Sequence, residues 1–468
     1  MKRFPLLFLA LFLILSGHLA AQGYSLAERL NETVENDEAT SRTFVGMKVL
    51  DAETGKVLYA RYEKHLFTPA SNAKLSTSAA SLAIWGPDRT FTTQVVARGR
   101  ILNGVLEGDI VLVGGGDPVL KTADLRALAR RVRQEWNVES IAGRVVIDDT
   151  LYAPRLKGPG WMWDDNPDTY SMSITSLMLN YNVLTLRLTE QNGRVAAALD
   201  PPSETPPIVN ALRGLERPIV TRKPFTDVIL VQPDPDGGVF QPSSFDLTMY
   251  QPSPWIAGVF TNMLKREGVD VRGTLLRPVD EQSKTILIHE SPPLSEILAL
   301  FNKPSENAIG EMLLHNLAIE EGFVPATWSD GARVISHWLT SEAGLEEGSF
   351  RVEDGSGLSR YNLITPEGTV RLLHYMWQHP SRVTFVRSLP IAGVDGTLQW
   401  RMTDTPAQGR VFAKTGTMSG VSCLSGYAQT QEGDWRIFSI CMNGYVGSSA
   451  PARQLQDRLC AILVEPHE

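Results

Sequence analysis

The sequence predicts a mixed α/β (α+β) fold in which one α/β domain is interrupted by a long β-rich insertion. Three observations carry this. The chain has 468 residues, too many for one ordinary domain. Hydrophobic residues make up 43% and charged residues 21%, near the globular norm, so wholesale disorder is excluded. The texture runs from αβ to β-rich and back to αβ, with no internal repeat, which favours one interrupted domain over three in series. The formal charge is −8 with no block of like charge, which excludes a nucleic-acid footprint. Three cysteines, none in a CxxC pair, exclude a disulfide-built scaffold.

The first segment reads as an address. Lys2 and Arg3 precede an apolar run from Phe4 to Leu15, followed by the small pair Ala20-Ala21. This is the layout of a signal peptide over residues 1–21, and the run is shorter than the roughly 18 apolar residues of a spanning helix. No later stretch is apolar enough to cross a bilayer, so a soluble protein exported to the periplasm, with no transmembrane anchor, is expected.

Residues 22–88 are expected to form the first part of the interrupted domain. Two β-branched runs in 43–60 flank the turn Asp51–Gly55 and read as a hairpin. A helix is expected from Asn72 to Trp85, stopped by Gly86. Residues 89–288 form the expected insertion. Short strand-like runs (TTQVVARG, DIVLVGGG, GRVVIDDT, VLTLRL, DVILVQP) alternate there with Gly, Pro and Asp clusters. Helices return in 289–468. Leu294, Ile297, Leu298 and Phe301 share one helix face, and Ile309, Met312, Leu313 and Leu317 share another. VSCLSGYAQ and WRIFSICMN read as a second hairpin, and Pro451 opens a last helix. Cys423 and Cys441 lie symmetrically about Glu432 in that hairpin, so they should face each other. Whether they are bonded is left open, and Cys460 stands alone.

Three short motifs could carry chemistry. In Ser71-Asn72-Ala73-Lys74, helical spacing puts the Lys74 amine beside the Ser71 hydroxyl. A serine needs an adjacent base to become a nucleophile, and a lysine serves if burial lowers its pKa. One or two S-x-x-K matches are nevertheless expected by chance in a chain of about this length. Ser305-Glu306-Asn307 lies at a break between two helices, where Ser or Asn could simply cap the second. Lys414-Thr415-Gly416 follows a strand-like run, and its glycine permits close approach to the strand edge. No histidine arrangement suggests a Ser-His-Asp triad, and no spacing marks a metal or cofactor site. The aspartates of the D-G-S-G-L-S and A-G-V-D-G-T stretches read first as turn formers.

The order S-x-x-K, S-x-N, K-T-G, each found once, resembles that of penicillin-binding proteins and class A β-lactamases. Gly114–Pro118, Gly160–Asp165, Asp354–Arg360 and Leu389–Thr397 are similar to stretches of the class C low-molecular-mass penicillin-binding proteins, the D-alanyl-D-alanine carboxypeptidases and endopeptidases. That resemblance covers nearly the whole chain after the leader. It implies a penicilloyl-serine transferase domain, an antiparallel sheet with helices on both faces. It implies peptidoglycan stem peptides as substrates and β-lactams as covalent inhibitors, with no nucleic acid and no cofactor.

Residue by residue, Ser71 would attack the penultimate D-alanine carbonyl and Lys74 would take its proton. Ser305, with Lys74, would return the proton to the leaving D-alanine. Asn307 would bind the stem peptide, and Lys414 would supply positive potential. Thr415 and Thr417 would meet the terminal carboxylate beside Gly416, with the Ser71 and Thr417 N–H groups as oxyanion hole. No deacylating base is assigned. The rival expectations are a β-lactamase or small-ester serine hydrolase, and a non-catalytic peptidoglycan-binding scaffold.

Overall fold

The computed structural model describes residues 25–165, 168–273 and 283–466. The expected leader, 1–21, lies outside them.

Helix α1 (Leu26–Glu35) begins at Ser25, whose hydroxyl accepts from the Glu28 N–H while Glu28 reaches back. Strands β1 (Phe44–Asp51) and β2 (Val57–Arg61) form the expected hairpin. Helix α2 (Lys74–Trp85) ends at Gly86, which takes φ +75°. The first two residues of the expected helix, Asn72 and Ala73, lie instead in a 3₁₀ turn, Ala70–Ala73.

The inserted segment contains the five expected strand runs. Its central sheet pairs β3 (Thr92–Leu102) with β4 (Val105–Gly115) and with Ser283–Glu290 on the far edge. It also holds two helices that the β-rich expectation missed. In α3 (Thr122–Glu135), the buried positions Leu125, Leu128, Ala129 and Val132 follow a helical stripe between arginines. In α4 (Pro252–Arg266), Trp255, Ile256, Val259, Phe260, Met263 and Leu264 are buried. Both pack into a core of the segment's own, running from Val95 to Leu287. Other residues of the segment, Val119, Tyr152, Met172, Ile174 and Met178, enter the neighbouring core instead.

Helices α5 (Leu294–Asn302), α6 (Asn307–Glu320), α7 (Trp328–Ser341) and α8 (Pro366–Gln378) follow. Thr327 and Thr365 cap the last two by accepting from the Asp330 and Gly368 N–H groups. Strands β5 (Val411–Met418), β6 (Val421–Gln429) and β7 (Trp435–Asn443) then precede helix α9 (Ala450–Leu463).

One antiparallel sheet, in the order β5-β6-β7-β1-β2, unites the two ends of the chain. Alternation along the strands sends Met47, Val49, Phe438 and Ile440 to one face, against α1 and α9. Tyr427 and Ile437 point the other way, into the core that holds α2 and α5 to α8. Cys423 and Cys441 face each other as expected, and both thiols are free.

Candidate active site

The site lies where the turn before α2, the break before α6 and strand β5 converge. Ala70 adopts φ +47°, an uncommon conformation for a residue with a Cβ, directly before Ser71. Gly357 lies against it: a Cβ there would stand 2.0 Å from the Ala70 carbonyl oxygen. Gly416 is similarly required, since a Cβ on it would stand 2.3 Å from the Pro69 oxygen. Asn72 Nδ2 donates to the Lys414 carbonyl at 3.1 Å and ties strand β5 to the Ser71 turn.

Lys74 is completely buried. Its Nζ lies 3.0 Å from Ser71 Oγ, 2.6 Å from Asn307 Oδ1 and 2.7 Å from the Ser356 carbonyl oxygen. The last two are acceptors only, and a neutral amine has two N–H bonds to give them. Its lone pair is then directed at Ser71, whose hydroxyl can donate. Burial lowers Lys74 to about 8, against the opposing charges of Asp354, Glu311 and Glu306.

Ser305 sits at φ +68°, and its Oγ accepts from Lys414 Nζ at 2.9 Å. Lys414 also donates to the Thr415 carbonyl at 3.1 Å. It too is completely buried. Burial, and next the Lys74 charge, push it well below the usual lysine value. Both effects work against the positive potential expected of Lys414. Thr415 Oγ1 is 2.7 Å from Thr397 Oγ1, and Thr417 is exposed at the strand edge.

The three motifs are thus brought together, with two differences from expectation. Ser305 is paired with Lys414 rather than Lys74, because Asn307 occupies the Lys74 side. Asn307 is itself largely engaged: Oδ1 accepts from Lys74, and Nδ2 donates to the Tyr170 carbonyl at 2.8 Å. One amide hydrogen remains for a ligand. Next to Ser305 and Asn307 a cavity of about 620 Å³ extends toward Lys121 and Tyr181 of the inserted segment. Lys121 Nζ lies 3.4 Å from the Tyr181 ring centroid.

The motifs did not reveal the loop behind Lys74. The turn-forming reading of Asp354 holds: Oδ1 accepts from the Gly357 N–H at 2.7 Å and Oδ2 from the Ser359 N–H at 2.6 Å. Asp395 likewise accepts from the Ile391 N–H, at 2.9 Å, and pairs with Lys303 at 2.6 Å. Glu311 is a completely buried carboxylate that sequence reasoning passed over. The available signal was one acid in a helix buried all round.

Residues 26–464 match the D-Ala-D-Ala carboxypeptidase 3 (S13) family. A D-alanyl-D-alanine carboxypeptidase of Actinomadura sp. (strain R39) is 34% identical, covering 95% of this chain and 86% of its own. The D-alanyl-D-alanine carboxypeptidase DacB of Haemophilus influenzae is 25% identical, covering 80% of each. The crystal structure of Haemophilus influenzae penicillin binding protein 4 (dacB) superposes with a TM-score of 0.79 at 23% identity, over 93% of this chain and 99% of that one. That protein is also known in complex with a β-lactam. The chain belongs to the D-Ala-D-Ala carboxypeptidase 3 (S13) family of serine peptidases.

Proposed function

We propose that this serine D-Ala-D-Ala carboxypeptidase works through an acyl-enzyme on Ser71. Ser71 Oγ attacks the penultimate D-alanine carbonyl of a peptidoglycan stem peptide while its proton moves to the Lys74 lone pair. The Ser71 and Thr417 N–H groups receive the developing oxyanion, a role supported by the close approach of Gly416 to the Ser71 turn. The C–N bond breaks, and the proton returns to the D-alanine nitrogen by way of Ser305. Water then hydrolyses the ester. Thr415, Thr417 and Lys414 receive the terminal carboxylate, and the free hydrogen of Asn307 Nδ2 receives the peptide.

The observation that carries this reading is the Lys74 environment: two acceptor-only neighbours and one hydroxyl, in full burial. Benzylpenicillin should add its full mass to a peptide containing Ser71, as the β-lactam complex of the Haemophilus protein supports. The Ser71→Ala variant should lose both labelling and D-alanine release. Adduct formation on another serine would overturn the assignment.

The same chemistry extends to the D-Ala–diamino acid amide of cross-links, since both bonds follow a D-alanine carbonyl. Incubation with cross-linked muropeptides and mass analysis tests that extension: monomers should appear. The charged, apolar and small-residue blocks of residues 1–21 support export to the periplasm, where this substrate lies. N-terminal sequencing of the exported protein should begin near Gln22.

A further inference from the structure

Lys74 can aim a lone pair at Ser71 only if its two N–H bonds are taken up elsewhere. One goes to the Ser356 carbonyl, so the position of that carbonyl matters to the reaction. Two buried carboxylates fix it. Glu311 Oε1 accepts from the Ser356 N–H at 2.8 Å and Oε2 from the Gly355 N–H at 3.3 Å. Oε2 also accepts from Trp328 Nε1 at 2.7 Å. On the other side of Ser356, Asp354 holds the Gly357 N–H, which belongs to the same peptide plane as the Ser356 carbonyl. Thr77 Oγ1 completes the clamp by donating to the Gly355 carbonyl at 2.8 Å. Neither Glu311 nor Asp354 touches the reacting atoms.

We infer that Glu311 is a positioning residue of the acylation step, gripping the loop through the Ser356 and Gly355 N–H groups so that the Ser356 carbonyl takes one Lys74 N–H. The inference rests on the reading of Ser71 and Lys74 given above. The three groups facing Glu311 are donors only, which favours its ionised form. Burial and the charge of Asp354 act against that form and raise its pKa. The titratable groups facing Lys74 are Glu311 and Glu306 from α6 and its cap, Asp354 from the loop and Lys414 from β5. His315, one turn beyond Glu311, is lowered to about 4 by burial and is neutral here. Loss of the Glu311 charge should therefore make Lys74 less basic.

The test measures the rate of acylation by a fluorescent penicillin from pH 5.5 to 9.5, with unfolding midpoints recorded beside it. Glu311→Gln keeps the shape and an acceptor for Ser356 but loses the charge. Acylation at saturating pH should fall roughly tenfold to a hundredfold, as misplacement of a catalytic group does. The acid limb should move to lower pH. Thr77→Val removes the third tether without a charge and keeps the side-chain shape. It should slow acylation about tenfold and leave the limb in place. An unmoved limb in Glu311→Gln, or an unchanged rate in Thr77→Val, overturns the inference. If Glu311→Gln does not fold, Thr77→Val decides it by rate alone. Wild-type protein that fails to label at Ser71 would instead overturn the underlying reading.

Discussion

The two corners of the cleft each hold a completely buried lysine, yet their surroundings differ. Lys74 faces three carboxylates, Asp354, Glu311 and Glu306, whose charges resist the effect of burial and leave it at about 8. For Lys414 the Lys74 charge pushes in the same direction as burial, and the pKa falls well below the usual lysine value. Burial pushes both lysines toward the neutral amine. The carboxylates turn one of them into a base that titrates near working pH, where general-base catalysis is most effective. The other is left as a donor that holds Ser305.

Replacing each lysine in turn tests this contrast. Lys74→Ala should slow acylation by about a hundred- to ten-thousandfold, the usual span of a lost general base. Lys414→Ala should cost less, roughly tenfold to a hundredfold, because it removes a donor and not the base. Equal losses in penicillin labelling would erase the distinction.

Stability supplies the next measure. A lysine lowered in the folded state destabilises the fold below its folded pKa, and the penalty fades as pH rises toward its unfolded value. For Lys74, between about 8 and the usual 10.5, the penalty is on the order of 3 kcal/mol, offset in part by its hydrogen bonds. Lys74→Met should therefore raise the urea midpoint at pH 6.5 and lose that advantage near pH 10.5. An advantage that does not change with pH would point to packing.

The pH profile sharpens the comparison further. Wild-type acylation should rise about tenfold per unit up to about 8 and then level, since only neutral Lys74 can act. In Lys414→Ala the limb should stay within a few tenths of a unit, because burial and the Lys74 charge both disfavour a charge on Lys414. A limb displaced to higher pH would show that Lys414 is cationic in the free enzyme.

The smallest effect concerns ligand binding. A peptide carboxylate beside Thr415 should raise the Lys414 pKa, so that Ser71→Ala protein takes up a fraction of a proton on binding near pH 7.5. Calorimetry in buffers of differing ionisation enthalpy reads this directly, and no uptake would mean that the ammonium was already present.

Much of this was legible in the sequence, and what was missed has physical causes. The motif residues could be named because chemistry demands fixed residue types at fixed spacings. The β6–β7 register followed from counting, since antiparallel partners keep a constant index sum, and Cys423 meets Cys441 accordingly. The helices of the insertion were overlooked because the apolar stripe of α3 is broken by arginines that resemble loop polarity. Glu311 stayed hidden for another reason. Two of its three partners are backbone N–H groups of a loop more than forty residues away, and every residue carries such a group. The pairing of Ser305 with Lys414 depended on a left-handed turn at a serine, which no residue preference announces.

The shared sheet bears on how the enzyme is made. Phe44 pairs with Asn443, so a strand from near the start of the chain waits for one from near its end. A chain delivered N-terminus first exposes the open edge of the β1–β2 hairpin through most of its passage. Such long-range closure is slow, and the waiting edge invites pairing with other chains. The nucleophile and the lysine of β5 therefore meet only once residues up to 418 have emerged. The wall-cutting centre is assembled last, after the inserted segment has had the opportunity to fold around its own core.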